Sequence, residues 1–254
     1  QTYFVGYRRT DGYRDHSSLS KGAACGKWFY TTDDKKLNVG IITRIFDMDA
    51  DAPGYLSKEL ADTNPGQAAS FATTDGGKQE NRHVSLHTDY DFSEKMSWSL
   101  KAYGQHLERN RWCRWSDAGS QSERIRDEDQ YGAISTLTYE TRDLGIDGLR
   151  LSWGVDYQYQ DNIGKRFTTV NRVRQGAPFR NWDYTTWYWG SYLEADGQIN
   201  DYLRIIGAMR VDELEGDFKD KVNNVSADMI DFGTIWQPKI GAVVTPTEGY
   251  NLYA

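Results

Sequence analysis

The sequence predicts an all-β protein, and three observations lead there. The first is alternation. Between Leu149 and Gln160, Leu149, Leu151, Trp153, Val155, Tyr157 and Tyr159 fall on one face, and Arg150, Ser152, Gly154, Asp156, Gln158 and Gln160 on the other. A strand keeps such a period of two, and a helix would scramble it. The second is composition: 14% aromatic residues and 24 Gly against 5 Pro in 254 residues, with a mean hydropathy of −0.75. No run of 18 apolar residues occurs, so no transmembrane helix is expected. A membrane-spanning β-barrel stays possible, because only one face of each strand must be apolar. The third is an asymmetry of connections, with tight turns and long polar stretches in alternation.

The elements follow in order. Strands are expected at 1–9, 27–32, 37–46, 82–92, 97–107, 129–141, 149–160, 185–195, 202–211 and 232–245, with an eleventh beginning at 250. Val84, Leu86, Tyr90 and Phe92 oppose His83, Ser85, His87, Asp89 and Asp91. Tyr131, Ala133, Leu137 and Tyr139 oppose Gln130, Thr136, Thr138 and Glu140. Trp187, Trp189 and Leu193 oppose Tyr188, Tyr192 and Glu194, and Leu203, Ile205, Met209 and Val211 oppose Arg204 and Arg210. Tight turns are expected at 33–36, 93–95, 144–148, 196–198 and 247–249, the last four about 50 residues apart. Long polar stretches lie at 10–26, 47–81, 108–128, 161–184 and 212–231.

A soluble sandwich has no reason to collect its long loops at one end and its tight turns at the other. An outer-membrane barrel does, with short periplasmic turns, long extracellular loops, an apolar outer band and a polar interior. A propeller would place four strands in each repeat, and here each holds about two. The expected fold is therefore an antiparallel transmembrane β-barrel segment. Trp153, Val155, Leu203, Ile205 and Leu137 are expected to face lipid. Arg150, Asp156, Arg204 and Arg210 are expected to face the lumen. Both termini read as strand, and an odd strand count does not close a bacterial barrel, so the chain is expected to be an internal segment of a longer one.

Net charge −7 and pI 5.2 argue against a nucleic-acid partner. No phosphate loop, nucleophile elbow or clustered Ser/His/Asp set is visible, so no enzyme, cofactor or resident metal is expected. His83 and His87 share a face, but four residues of strand span about 13 Å, too far for one ion. Cys25 and Cys113 lie in or next to expected loops and are too few for a disulfide scaffold. They are a possible disulfide pair, and each could instead be free or pair with a cysteine outside this sequence.

Two stretches combine arginine with aromatic residues. One is Glu108-Arg109-Asn110-Arg111-Trp112-Cys113-Arg114-Trp115; the other runs from Arg172 and Arg174 through Phe179, Arg180, Trp182 and Tyr184. Arginine forks and flat rings suit an anionic, aromatic metal chelate. The same residues suit an aromatic girdle with contacts to lipopolysaccharide phosphates. The candidate ligand residues are Arg109, Arg111, Arg114, Trp115, Arg180, Trp182 and Tyr184.

Four stretches carry a family resemblance. They are the early strand and loop Gly6-Tyr7-Arg8-Arg9-Thr10-Asp11-Gly12-Tyr13-Arg14-Asp15, the loop opening Asp51-Ala52-Pro53-Gly54-Tyr55-Leu56, the hairpin Asp89-Tyr90-Asp91-Phe92-Ser93-Glu94, and Gln237 to Pro246 followed by Asn251-Leu252-Tyr253-Ala254. In this order, and with the loop asymmetry, the sequence resembles the TonB-dependent outer-membrane receptors along essentially its whole length. The resemblance implies a 22-stranded barrel, of which these are roughly the third to thirteenth strands, and a plug domain outside this sequence. It also implies import of a scarce, bulky nutrient. That nutrient is most often a ferric siderophore, and in some members cobalamin, haem or an oligosaccharide. An inner-membrane complex that contacts the N-terminal region supplies the energy. A passive porin-like channel or a surface-adhesive barrel is the alternative. The length of the 47–81 stretch favours the receptor.

Overall fold

The computed structural model describes residues 1–142, 148–247 and 249–253. Its strands are β1 (Thr2–Thr10), β2 (Leu19–Thr31), β3 (Leu37–Asp51), β4 (Gly76–Ser93), β5 (Met96–Cys113), β6 (Gln121–Thr141), β7 (Leu149–Val170), β8 (Val173–Arg174), β9 (Arg180–Asn200), β10 (Leu203–Asp220), β11 (Val225–Thr247) and β12 (Tyr250–Tyr253). They form one antiparallel sheet in sequence order, apart from the two-residue β8, which pairs only with β7. The principal path therefore holds eleven strands, as expected, with β1 and β12 at its edges. A short helix, α1 (Lys58–Thr63), is capped by Ser57, whose hydroxyl accepts from the Leu60 amide.

Cross-strand register shows why the alternation is preserved. Leu137 pairs with Trp153, Trp153 with Leu193, Leu193 with Met209, and Met209 with Pro238. Val155 pairs with Ser191, which pairs with Val211, and Val211 with Trp236. Ile205 pairs with Ala242 and Leu203 with Val244, in the same phase. These side chains are unusually open for large apolar groups: Trp153 is 51% exposed, Leu193 58% and Trp236 65%. Such a continuous apolar band matches the lipid-facing surface of a transmembrane barrel. At its edge nearer the long connections, Tyr131 pairs with Tyr159 and Tyr159 with Trp187, an aromatic boundary row.

The opposite face is polar and bonded to itself. Arg210 donates to Asp156 at 2.9 Å and to Asp212 at 2.8 Å, and also contacts the Tyr188 hydroxyl. Arg150 pairs with Glu140 at 2.7 Å, and Arg204 with Asp196. The four charged residues expected on this face lie there. Few side chains are fully buried, because a single sheet has no second layer to cover it.

The strands run further than the sequence suggests. β6, β7, β9 and β11 hold 21, 22, 21 and 23 residues, about twice the 9–11 that cross a bilayer. The long connections shrink accordingly to 11–18, 52–75, 114–120, 175–179 and 221–224. At the other end the connections are tight, at 32–36, 94–95 and 201–202. The turn expected at 196–198 is strand: Gly197 pairs with both Leu149 and Ile205. The reversal occurs at Asp201–Tyr202, where the Asn200 side chain accepts from the Tyr202 amide. The expected turn at 144–148 lies outside the described residues except for Gly148, and Glu248 of the turn expected at 247–249 also lies outside them.

The possible disulfide is not formed. Cys25 and Cys113 are both free. Cys25 sits within β2 opposite Arg44, and Cys113 ends β5 opposite Ser122. Strands β3 and β4 separate them, which places them about 14 Å apart or more at ordinary strand spacing. A disulfide needs Cα atoms within about 7 Å.

Candidate functional site

Beyond the aromatic row, the polar face carries a band of arginines set by register. Arg111 pairs with Arg124, Arg124 with Arg166, and Arg166 with Arg180. Four strands thus present four arginines in one direct cross-strand row. One step nearer the apolar band, Arg109 pairs with Arg126, Arg126 with Gly164, and Gly164 with Trp182. The next step brings Asn162 opposite Tyr184, and Tyr184 opposite Phe218. These rows line a cavity of about 470 Å³ that includes Arg109, Arg111, Arg124, Arg166, Arg180, Trp182 and Tyr184.

Like charges placed directly opposite one another on a sheet destabilise it. The row persists here with little internal neutralisation. Arg126 pairs with Glu128 at 3.0 Å. Among the described residues, Arg109, Arg111, Arg124, Arg166 and Arg180 have no ion pair, and Arg124 Nε is buried without a hydrogen-bond partner. Burial, reinforced by the Arg180 and Arg124 charges, holds the Arg166 guanidinium below its ordinary pKa. An anion with several acceptor oxygens would satisfy these donors by charge-assisted bonds.

Aromatic rings complete the surface. The Arg180 guanidinium lies 3.8 Å from the Trp182 ring centroid, and Trp182 meets Phe218 edge-on at 5.5 Å. The Trp182 indole donates to Asp220 at 3.0 Å, which fixes the ring. Trp115 stacks with Arg111 at 5.9 Å and Arg124 at 5.5 Å. Gly164 leaves a gap in the second row: a Cβ there would meet no atom within 4 Å.

Of the seven residues singled out from sequence, five line this cavity: Arg109, Arg111, Arg180, Trp182 and Tyr184. Trp115 stacks at its margin. Arg114 does not line it; its backbone amide is tied at 2.6 Å to Asp75. Sequence reasoning misses Arg124, Arg126 and Arg166, which lie in the stretches 108–128 and 161–184 expected to be loops. The period-two spacing of Arg124 and Arg126 was the available signal.

A bonded cap sits beside the cavity. Arg172 donates to Thr74 O at 2.8 Å, Asp75 O at 3.1 Å and Asp51 at 3.2 Å. Gln121, 1% exposed, donates to Asp75 at 2.8 Å. Glu123, 3% exposed, accepts from Arg174 at 2.5 Å and from Asn110 at 2.7 Å. Burial opposes ionisation of Glu123, but the Arg174 and Asn110 bonds and the Arg174 charge outweigh it and lower its pKa. Asp51 behaves alike: burial is outweighed by Ser18, His16 and Arg172.

Comparison with solved structures places this sheet in a known setting. It superposes on the unliganded ferric citrate transporter FecA with a TM-score of 0.83 at 17% identity, covering 99% of this chain and 38% of that one. The siderophore receptor PiuA from Acinetobacter baumannii gives 0.74 at 13% identity, with 99% and 44% coverage. The ferric-catecholate import receptor Fiu from E. coli K12 gives 0.71 at 12%, with 99% and 45%. The chain thus spans less than half the length of these proteins. No curated protein matches it in sequence. The family model described as TonB dependent receptor-like, beta-barrel, matches residues 8–254. Eleven sequential antiparallel strands, an apolar band on one face and a row of arginines on the other thus have one common frame: the chain belongs to the TonB-dependent receptor β-barrel family.

Proposed function

We propose that this chain is part of the wall of an outer-membrane receptor that imports an anionic ferric chelate of the siderophore type. The observation that carries the reading is the row Arg111–Arg124–Arg166–Arg180 on the polar face beside Trp182 and Tyr184. The same row bears on the girdle reading. A lipid-facing girdle belongs on the face of Trp153 and Val155, and the four arginines are in phase with Asp156 and Arg150 instead. The solved relatives include receptors named for ferric citrate, ferric catecholates and ferripyoverdine, which fits a metal-chelate ligand. In this reading the apolar band contacts outer-membrane lipid and lipopolysaccharide of a Gram-negative cell, and the arginine end faces outward. Energy comes from the inner-membrane complex through an N-terminal region outside this sequence. No bond of the substrate is made or broken.

The test is ligand binding by the full-length receptor. Each charge-assisted contact is worth about 1.5–3 kcal/mol when sheltered, so Arg111→Ala and Arg180→Ala should each weaken affinity about tenfold or more. Surface expression should be unchanged. Unchanged affinity in both variants would move the ligand site elsewhere.

A further inference from the structure

On the face opposite the arginine row, one step beyond the aromatic boundary, lies a second cluster. His106 pairs with Asp129, and Asp129 with Asp161; in the next row Glu108 pairs with Asp127. These positions are in phase with Tyr131 and Trp98, so they lie on the outer wall just past the apolar band. Among the described residues, none of Glu108, Asp127, Asp129 and Asp161 forms an ion pair with lysine or arginine. The neighbouring Arg82 is committed to Asp47 at 3.0 Å and Glu80 at 3.1 Å.

Four carboxylates in this register repel one another, and on an outer-membrane wall they would also face anionic lipid phosphates. His106 is set among these carboxylates, and the three donor atoms together offer a seat for a cation. His106 Nδ1 lies 2.9 Å from Asp129 Oδ1 and 3.7 Å from Asp127 Oδ1. The three donor atoms lie within 4.8 Å of one another. Zinc holds imidazole nitrogen and carboxylate oxygen at about 2.0–2.2 Å in a tetrahedron, which sets neighbouring donors about 3.4 Å apart. The two His106–carboxylate separations, 2.9 and 3.7 Å, bracket that value. The mixed donor set favours a borderline ion over calcium, which prefers six to eight oxygens.

We propose that His106, Asp127 and Asp129 form a binding site for a divalent cation of the zinc class on the outer wall of the barrel. Its fourth position opens away from the sheet, toward the lipid headgroups. All three ligands come from adjacent strands, so the ion would also clamp β5 to β6 at the level where lipid support ends.

The test uses the full-length receptor in detergent, titrated calorimetrically with Zn²⁺ alone. Wild type should show a saturable site. His106→Ala and Asp129→Asn should each lose at least tenfold in affinity for it. Glu80→Gln, a charge change on the same wall outside the trio, should leave it intact. Heat-modifiable mobility in gels confirms that each variant is folded. Absence of saturable binding by the wild type would overturn the site, as would equal binding by folded His106→Ala. Neither outcome touches the chelate reading, which rests on the other face.

Discussion

Arg166 is the place to test whether the arginine row is a strained device for binding an anion. Its direct cross-strand neighbours are Arg124 and Arg180, and among the described residues it has no ion pair of its own. Opposed residues on a sheet stand about 5 Å apart. Two unit charges at that distance repel by about 0.8 kcal/mol at the dielectric of water, and by several times more in a sheltered site. Arg166→Gln removes two such terms while keeping a long polar side chain. The outer ends of β6 and β7 in the empty receptor should therefore gain about 1.5 kcal/mol of local stability at low salt. The same change should cost an anionic ligand about 1.5–3 kcal/mol, a ten- to hundredfold loss of affinity. Amide hydrogen exchange at 121–127 and 161–170 reads the first effect, and equilibrium binding reads the second. Raising the salt to about 1 M shortens the screening length to about 3 Å and should erase most of the stability gain. Faster exchange in the empty variant, or ligand affinity equal to wild type, would refute the idea that repulsion is held in reserve for a ligand.

Three further outcomes are expected. Gly164→Phe should fill the open gap beside Trp182 and lower ligand affinity at least tenfold without unfolding the barrel, as judged by binding and by heat-modifiable mobility. Acidification should loosen the cap around 52–75. The folded-state pKa values of Glu123 and Asp51 are depressed, so their contribution is fully present above the ordinary carboxylate range of about 4. It is lost as pH falls through the lower folded values, and limited proteolysis with an acid-active protease at stepped pH should show cleavage at 52–75 appearing only below about pH 4. Ile205→Arg should destabilise the barrel by up to about 2–4 kcal/mol if the site lies near the bilayer midplane, measured by reversible unfolding in lipid vesicles; a change under about 0.5 kcal/mol would place Ile205 away from lipid.

The part of the fold inside the apolar band was legible because lipid on one side and water on the other force alternation at every second residue. Leu149 to Gln160 shows this cleanly. Past Tyr131 and Tyr159 both faces are wet, so the pattern no longer has to alternate in hydropathy. Gln121 to Glu128 then reads as loop although its backbone pairs residue for residue with β7, and from Ser122 on with β5. The same holds for 161–170 of β7; the two stretches together hid Arg124, Arg126 and Arg166 and left the arginine row as two unconnected clusters. Cys25 was misplaced for a related reason: Ala23-Ala24-Cys25-Gly26 offers small side chains that carry little strand signal, and only pairing with β3 reveals it. Register across strands is not written in any local window, and it is register that makes the row.

The strands that outrun the lipid band have a practical meaning for anyone wishing to decorate this surface. About ten surplus residues per strand, at about 3.3 Å each, carry a stiff hydrogen-bonded fence some 20 Å beyond the hydrocarbon core once barrel tilt is allowed for. One of the reversals that crown it is brief: 221–224 links β10 to β11 in four residues. Foreign peptides or reporter tags grafted at Val222–Asn223 would be held clear of the membrane surface, and they would interrupt no ladder. Grafts within 121–130 or 161–170 would sever pairing on both sides and cost the receptor its outer end.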